Sequence, residues 1–345
     1  MPDDRTTVTE LGTALGMLPF ARPAAALAAR PRQLAVDDAV WELLTELQRS
    51  GRFAEEFATA WANGRAFLEA PDALRGRTPL LIEWTGGRRP PGDEAAPVDL
   101  RVDHVYLVSC KYLSQNIANP SPGRLFEGLL STTGHWPTGD WYAEVAPAPY
   151  GRLYDACRSA AGLDDLPDDP LALTPAQRRL LRLALPGRGA YPAEARQAYR
   201  ELCREVSVRS AERWRTNAAS PADKERLVWR LLRVGSAPYF VLGADVGRPL
   251  RLRVASPWDW RQAYQLLDFD IRAAEAGQPQ VDWTIRYRRR GDGSLGEARG
   301  HVEVRWSHGR FAQPPEAKVY LDTPSDELPG YFPMAGAADQ PSLWE

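Results

Sequence analysis

The stretch VDLRVDHVYLVSCK, from Val98 to Lys111, most constrains what this chain can fold into. An alternating segment, VDLRV, and a mainly apolar one, VYLVSCK, flank Asp103-His104, which is the pattern of two short strands joined by a tight turn. Asp99 begins the first strand and Lys111 ends the second, so a carboxylate and an ammonium group meet at the open end of an apolar hairpin. A salt bridge at a sheet edge and a metal-dependent catalytic site are the two interpretations of this pair.

Helical patterns precede and follow the hairpin. Two helices separated near Ser50-Gly51 are predicted from residue 37 onward, then a strand in PLLIEWTGG, and after the hairpin a helix that starts at Ser121-Pro122. The middle of the chain is helical, with a capping-box start at Thr174. The last third is rich in short strands, one of them PYFVLG, apart from a helix predicted over residues 256–277 with Ser256 as its N-cap.

This order predicts an α/β or α+β chain with a mixed β-sheet flanked by helices. The predicted segments are an N-terminal extension (1–36), a core (37–165), a helical section (166–235), a mixed α/β section packed on the core (236–335) and a flexible tail (336–345).

Composition excludes several classes of protein. The formal net charge is −2 over 345 residues, so any basic footprint for nucleic acid has to be local. The three cysteines form no CxxC pair, which argues against a disulfide framework or a zinc cluster and fits a cytoplasmic location. No apolar run is long enough for a membrane span, and no phosphate loop or nucleophile elbow is present.

The open end of the hairpin carries the chemistry. Side chains alternate along a strand, so Ser109 and Lys111 share one face and Cys110 faces the core. Glu83, late in the preceding strand, is expected to reach the same end as Asp99. Carboxylate oxygens with a backbone carbonyl suit Mg²⁺, which polarises a phosphoryl oxygen, and a lysine beside it can orient the attacking water.

These residues make the chain resemble the PD-(D/E)XK nuclease superfamily, which includes many restriction endonucleases. The resemblance rests on PVD at 97–99 and SCK at 109–111, covers residues 37–135, and extends to a returning strand at PYFVLG. It implies a restriction-endonuclease-like core in which Asp99, Glu83 and the Cys110 carbonyl bind Mg²⁺ and Lys111 positions water. Gln115 is expected beside the site, as is Ser109.

The sequence departs from the family pattern at Ser109, where a second acidic residue is expected. A hydroxyl group is a weaker ligand for a hard metal ion than a carboxylate. The residues that could compensate are Glu83, Gln115, Glu55 and Glu56. If none of them does, the site has lost catalysis and the chain only binds nucleic acid or a protein.

Two basic segments are candidates for contact with a phosphate backbone. Arg286, Arg288 and Arg290 share a face of one predicted strand. In the segment 300–321, Trp306 is accompanied by basic side chains, namely Arg305, His308, Arg310 and Lys318. The alternative for both segments is a solvated sheet face.

The resemblance implies a Mg²⁺-dependent endonuclease that hydrolyses DNA in restriction or anti-phage defence, with Mn²⁺ able to substitute for Mg²⁺. Double-stranded DNA is favoured over single-stranded DNA as the substrate. The resemblance is also compatible with a homodimer and with a motor or defence-system partner. A catalytically silent member of the same fold that binds nucleic acid or a protein is the alternative. A third interpretation is a structural or small-molecule-binding protein in which Asp99 and Lys111 pair with each other.

Overall fold

The structure is a computed structural model that describes residues 3–86, 97–112, 116–131, 135–185, 191–245, 248–275 and 277–335. The chain forms two compact units. The first unit comprises Met1–Ser114, Leu232–Tyr264 and Ser325–Glu345, and the second comprises Gln115–Leu231 and Gln265–Pro324. This division differs from the predicted segments, because each unit is assembled from stretches that are distant along the chain. The predicted tail, 336–345, lies outside the described residues.

Helices and strands alternate along the described chain. The helices are α1 (Asp4–Gly16), α2 (Pro23–Ala29), α3 (Asp38–Ser50), α4 (Ala54–Glu69), α5 (Pro122–Phe126), α6 (Trp141–Val145), α7 (Pro147–Ala160), α8 (Pro175–Ala184), α9 (Ala195–Asn217), α10 (Pro221–Leu231) and α11 (Pro257–Ala263). The strands are β1 (Leu34–Ala35), β2 (Ile82–Trp84), β3 (Leu100–Val102), β4 (Tyr106–Tyr112), β5 (Asn116–Ala118), β6 (Tyr239–Asp245), β7 (Arg248–Val254), β8 (Tyr264–Glu275), β9 (Pro279–Arg289), β10 (Leu295–Arg305), β11 (Glu316–Leu321) and β12 (Tyr331–Pro333). The predicted mixed α and β composition is confirmed.

The first unit is built on a mixed sheet of seven strands in the order β1-β2-β3-β4-β6-β7-β12. Strands β2, β3 and β4 pair antiparallel, and β4 pairs parallel with β6 over Val108–Tyr112. Buried side chains of α1, α3 and α4 pack against the apolar positions of these strands in one core. The strand predicted at PYFVLG therefore lies next to the strand that carries Lys111.

The hairpin turn has the conformation that its residues favour. Asp103 and His104 both have positive φ values, 51° and 57°, and Val105 N–H donates to the Val102 carbonyl at 3.0 Å. Two consecutive positive φ values are the mark of a hairpin turn whose twist matches that of its strands. The Asp103 carboxylate also accepts two backbone N–H groups at 2.8 Å from the chain just before β2. The predicted turn is confirmed.

Helix α1 departs most from the sequence prediction, which treated residues 1–36 as an extension. Every residue from Thr7 to Gly16 is buried. Its backbone passes very close to α4, since a Cβ atom on Gly64 would lie 2.1 Å from the Thr13 carbonyl oxygen, and one on Gly16 would lie 2.3 Å from that of Trp61. A helix buried on all sides has no apolar stripe facing a polar one, so its pattern was not recognised in the sequence.

The second unit carries an antiparallel sheet of five strands in the order β5-β11-β10-β9-β8. The long helix α9 packs on β9. Buried aromatic rings fill the helical part, with Phe126 lying 5.5 Å from Trp141 and 4.9 Å from Trp214 between ring centroids. The described chain contains no helix long and apolar enough to cross a membrane.

The helix predicted over residues 256–277 is wrong beyond its first two turns. Ser256 is the N-cap, as predicted, and forms a capping box with Asp259, but α11 ends at Ala263 and Tyr264–Glu275 is strand β8. Phe269 and Ile271 are buried while Asp268 and Asp270 are only half-buried, which is an alternation of period two. Pairing with β9 satisfies the backbone of this segment, and this long-range pairing decides its conformation.

Candidate functional site

Asp99 is held at the open end of the hairpin, immediately before β3. Its Oδ2 atom accepts the backbone N–H of Cys110 at 2.6 Å and the Ser109 hydroxyl at 3.3 Å. Its own backbone pairs with both neighbouring strands, donating to the Val108 carbonyl and accepting from Thr85. These contacts fix the carboxylate against the strand that carries Lys111, at the place where the sequence predicted a site.

Glu10 of α1 is a site residue that the sequence analysis missed. It is 7% exposed, and Trp84 Nε1–H donates to its Oε2 atom at 2.5 Å. The pKa of Glu10 is raised to about 8, mainly by burial and then by the negative charge of Asp99, against the opposing effects of the Trp84 hydrogen bond and the positive charge of Lys111. Glu10, Asp99 and Lys111 therefore lie within electrostatic range of one another.

A buried hydrogen-bond network holds α1 against the sheet next to this group. Thr13, one helical turn after Glu10, lies 3.0 Å from the Tyr112 hydroxyl, measured from its Oγ1 atom. Asn63 Nδ2 of α4 donates to the same hydroxyl at 3.1 Å and to the Gly243 carbonyl at 2.8 Å. Because side chains three residues apart share a helix face, this network also orients Glu10 towards the sheet.

Lys111 is placed by the parallel contact between β4 and β6. Its Cα atom pairs with Gly243, and a Cβ atom on Gly243 would lie 1.6 Å from the Lys111 carbonyl oxygen. A side chain at position 243 would therefore push β4 away. Ser109 lies two residues earlier on the same strand face and is fully buried. Its hydroxyl donates to Asp99, so it positions this carboxylate.

Cys110 does not offer a reactive thiol. Burial raises the pKa of the thiol well above its ordinary value, and the charges of Asp99 and Glu10 add to the effect. A thiol with a raised pKa is a poor nucleophile at neutral pH. The backbone of Cys110 is the part of the residue that reaches the site, through its N–H group on Asp99.

The structure does not bring Glu83 to this group. Glu83 pairs with Arg101, which pairs with Leu107, so it shares the sheet face of Ser109 and Lys111 but lies closer to the turn. There its carboxylate lies 3.0 Å from His104 Nδ1 at the turn end of the hairpin. Gln115 lies outside the described residues. Of the other two acids considered, Glu56 pairs with Arg5 at 3.1 Å and Glu55 is exposed on α4.

The donors at the site fit a hard divalent cation held partly by water. No group of three or more His, Cys, Asp or Glu side chains capable of holding a metal ion occurs in the part of the chain that the structure describes. Mg²⁺ needs fewer protein ligands, since it is usually bound through one or two carboxylates and keeps several waters. Glu10 and Asp99 provide two carboxylates, and their like charges disfavour joint ionisation unless a cation lies near them.

The predicted nucleic-acid-binding residues all lie in the second unit, and their surroundings differ. Arg286 is compensated by Asp268 and Glu297, both at 3.3 Å, which is typical of a solvated face. Arg288 is exposed on the same strand, and Arg290 follows its end. His308 lies 3.3 Å from Glu316. The remaining three residues line one cavity: Arg305, Arg310 and Lys318.

Comparisons of the chain with protein-family models, with curated proteins and with solved structures found no match.

Proposed function

We propose that this chain is a Mg²⁺-dependent nuclease of the PD-(D/E)XK type that hydrolyses DNA. The observation that carries the proposal is the gathering of Glu10 and Asp99 with Lys111 at the open end of the hairpin. Glu10 supplies the second carboxylate that position 109 lacks. The departure from the family pattern at Ser109 is then compensated by a residue on α1 and not by Glu83.

The sheet of the first unit supports the same proposal. A hairpin ending in Lys111 is followed along the chain by a short helix at Ser121-Pro122, which belongs to the second unit, and later by a returning strand, β6, which pairs parallel with β4. Helices α1 and α4 cover the sheet where Glu10 approaches it. This is the order of elements that the resemblance implies for a restriction-endonuclease-like core.

In the proposed mechanism, the Glu10 and Asp99 carboxylates hold Mg²⁺ together with the Cys110 carbonyl. Bound Mg²⁺ supplies the positive charge that polarises a phosphoryl oxygen and lowers the pKa of an attacking water. Lys111 orients this water by hydrogen bonding and stabilises negative charge that develops on the phosphate. Ser109 keeps the Asp99 carboxylate in place.

A second candidate function is supported by the same residues. Position 109 has a hydroxyl group in place of a carboxylate. The pKa of Glu10 is about 8, so Glu10 is mainly protonated at neutral pH in the absence of a cation. A chain in which Glu10 never ionises would bind metal weakly and would be a catalytically silent nuclease fold that binds nucleic acid or a protein partner. A role in restriction or anti-phage defence rests on the family resemblance alone.

The test is cleavage of plasmid and linear DNA by purified protein in Mg²⁺, in Mn²⁺ and in EDTA, next to four variants. Asp99→Asn, Glu10→Gln and Lys111→Met should abolish metal-dependent cutting while the fold is kept. Glu83→Gln is the matched control, because it removes an acid at the turn end of the hairpin, where it pairs with His104, and it should retain activity. Cutting that survives Glu10→Gln but is lost in Glu83→Gln would overturn the assignment of the second acid. Binding without cutting in either metal would favour the silent fold.

A further inference from the structure

The second unit contains a cavity of about 500 Å³ that the proposed nuclease site does not use. This volume falls within the range of cavities that hold small molecules and cofactors. Thirteen residues line it: Tyr142, Arg182, Leu185, Tyr191, Tyr199, Gly277, Gln278, Arg305, Trp306, Ser307, Gly309, Arg310 and Lys318. Four of them are cations and four are aromatic, a combination that sets this cavity apart from an ordinary surface cleft.

The charge of the cavity selects an anion. None of the described residues that line it is Asp or Glu. The charge of Arg305 is partly compensated by Glu303, which lies 3.0 Å from it and does not line the cavity. By contrast, Arg182 and Lys318 form no ion pair with any carboxylate in the described ranges. Arg182 instead donates a hydrogen bond to the His308 carbonyl. Glu316 lies outside the lining but within electrostatic range of Lys318. Four cations that share a cavity without an acidic lining residue favour a ligand with a phosphate or similar group.

The backbone is shaped to admit one of these cations. Gly309 has a φ of 104°, a conformation that side-chain-bearing residues rarely adopt. A Cβ atom at this position would lie 2.6 Å from Cδ of Arg182. Glycine therefore allows the Arg182 side chain to lie against the main chain at the cavity wall.

The aromatic residues provide flat surfaces beside the cations. Tyr191 and Tyr199 are stacked with ring centroids 4.2 Å apart, and the Arg310 guanidinium lies 3.8 Å from the Tyr191 ring centroid. Trp306 packs edge-on against Tyr142 at 4.9 Å. Aromatic side chains next to basic groups are the surfaces on which nucleobases stack while their phosphates pair with the cations.

We infer that this cavity binds a nucleotide, with its base against Trp306 and the Arg310 guanidinium that lies on Tyr191, and with its phosphate at Arg182 and Lys318. The nucleotide is either a free mononucleotide or one residue of a single-stranded or flipped-out DNA segment, and the chemistry of recognition is the same for both. The inference goes beyond the nuclease proposal, because it concerns a site in the other unit and requires no cleavage.

The experiment is a binding titration of the full chain in EDTA, in which no metal-dependent cleavage occurs. The probes are dAMP, inorganic pyrophosphate, and a mixed-sequence twelve-nucleotide DNA in single- and double-stranded form, measured by calorimetry and fluorescence anisotropy. The double variant Arg182→Gln with Lys318→Gln should weaken nucleotide binding by on the order of tenfold for each cation removed. Tyr191→Leu should weaken dAMP binding and leave pyrophosphate binding unchanged.

The matched control is Arg272→Gln, which removes an exposed arginine of β8 that pairs with Asp270 and does not line the cavity. Binding of dAMP lost only in the cavity variants supports the inference with a free nucleotide as ligand. Binding of single-stranded DNA that is lost in those variants, without competition by dAMP, supports it with a nucleotide in a strand. Equal losses in Arg272→Gln, equal weakening of pyrophosphate and dAMP binding in Tyr191→Leu, or no binding of any probe would overturn it.

Discussion

Replacement of Glu10 by Gln should stabilise the protein and at the same time remove the proposed activity. The Gln side chain keeps an oxygen that can accept the Trp84 Nε1–H group, but it cannot ionise. Glu10 is 7% exposed, and burial with the neighbouring Asp99 charge raises its pKa from 4.5 to about 8. The folded protein therefore opposes an ionisation that the unfolded chain allows.

The sign and size of the effect follow from this pKa difference. A raised folded-state pKa contributes stability that is fully present below pH 4.5 and is lost as the pH rises through about 8. Between these values the free energy of unfolding should fall by about 1.4 kcal/mol per pH unit. The Gln variant lacks this loss, so it should be more stable than the parent by about 3 kcal/mol at neutral pH and by little in acid.

The assay is urea denaturation of the parent and of Glu10→Gln at pH 5, 7 and 8.5, all with EDTA. The difference in unfolding free energy should widen as the pH rises. Glu83→Gln is the control, since the Glu83 side chain is 40% exposed at the turn end of the hairpin and surface substitutions change stability by about 0.5 kcal/mol or less. Curves for the parent and Glu10→Gln that stay parallel at all three pH values would refute the burial argument.

Addition of Mg²⁺ links the stability test to the proposed metal site. A ligand that binds only the folded state raises the free energy of unfolding in proportion to the logarithm of its concentration over its dissociation constant. Mg²⁺ should stabilise the parent more at pH 8.5 than at pH 6, because binding requires loss of the Glu10 proton. The Gln variant should show little stabilisation at either pH.

Three further substitutions test the positioning of the site. Gly243→Ala should destabilise the protein by on the order of 2–4 kcal/mol and impair cleavage, because its Cβ atom would lie 1.6 Å from the Lys111 carbonyl oxygen; thermal unfolding measures the loss. Ser109→Asp restores an acidic residue of the family pattern, but it should destabilise the protein by about 2 kcal/mol or more, because it buries a second carboxylate against Asp99. Urea denaturation measures the loss of stability. Asp103→Ala should reduce stability by about 1–3 kcal/mol through two lost hydrogen bonds at the turn, with hydrogen exchange near β2 as the readout.

Controls accompany these three substitutions. Gly139→Ala places a Cβ atom where nothing lies within 4 Å, so it should be neutral where Gly243→Ala is not. His104→Asn keeps a residue that tolerates positive φ and should preserve the turn that Asp103→Ala weakens. A Ser109→Asp variant with parental stability would contradict the packing described around Asp99. Unchanged exchange in Asp103→Ala would show that the turn does not depend on its carboxylate.

The sequence alone determined the features that depend on neighbouring residues. The hairpin turn, the start of α5 at Ser121, the capping box at Thr174 and the N-cap at Ser256 were all predicted, because each signal lies within a few residues. The position of Asp99 beside Ser109 also followed from strand alternation across one hairpin. Local geometry therefore predicted half of the candidate site.

Only the tertiary structure decided the other half. Helix α1 is buried on all sides, so its sequence has no amphipathic period, and the segment after Ala263 forms a strand because β9 pairs with it. Glu10 becomes a site residue because the close crossing of α1 and α4, with its glycines, brings its carboxyl group to Trp84 and within range of Asp99. Its pKa depends on burial and on charges that are remote in sequence, and neither quantity exists until the chain has folded.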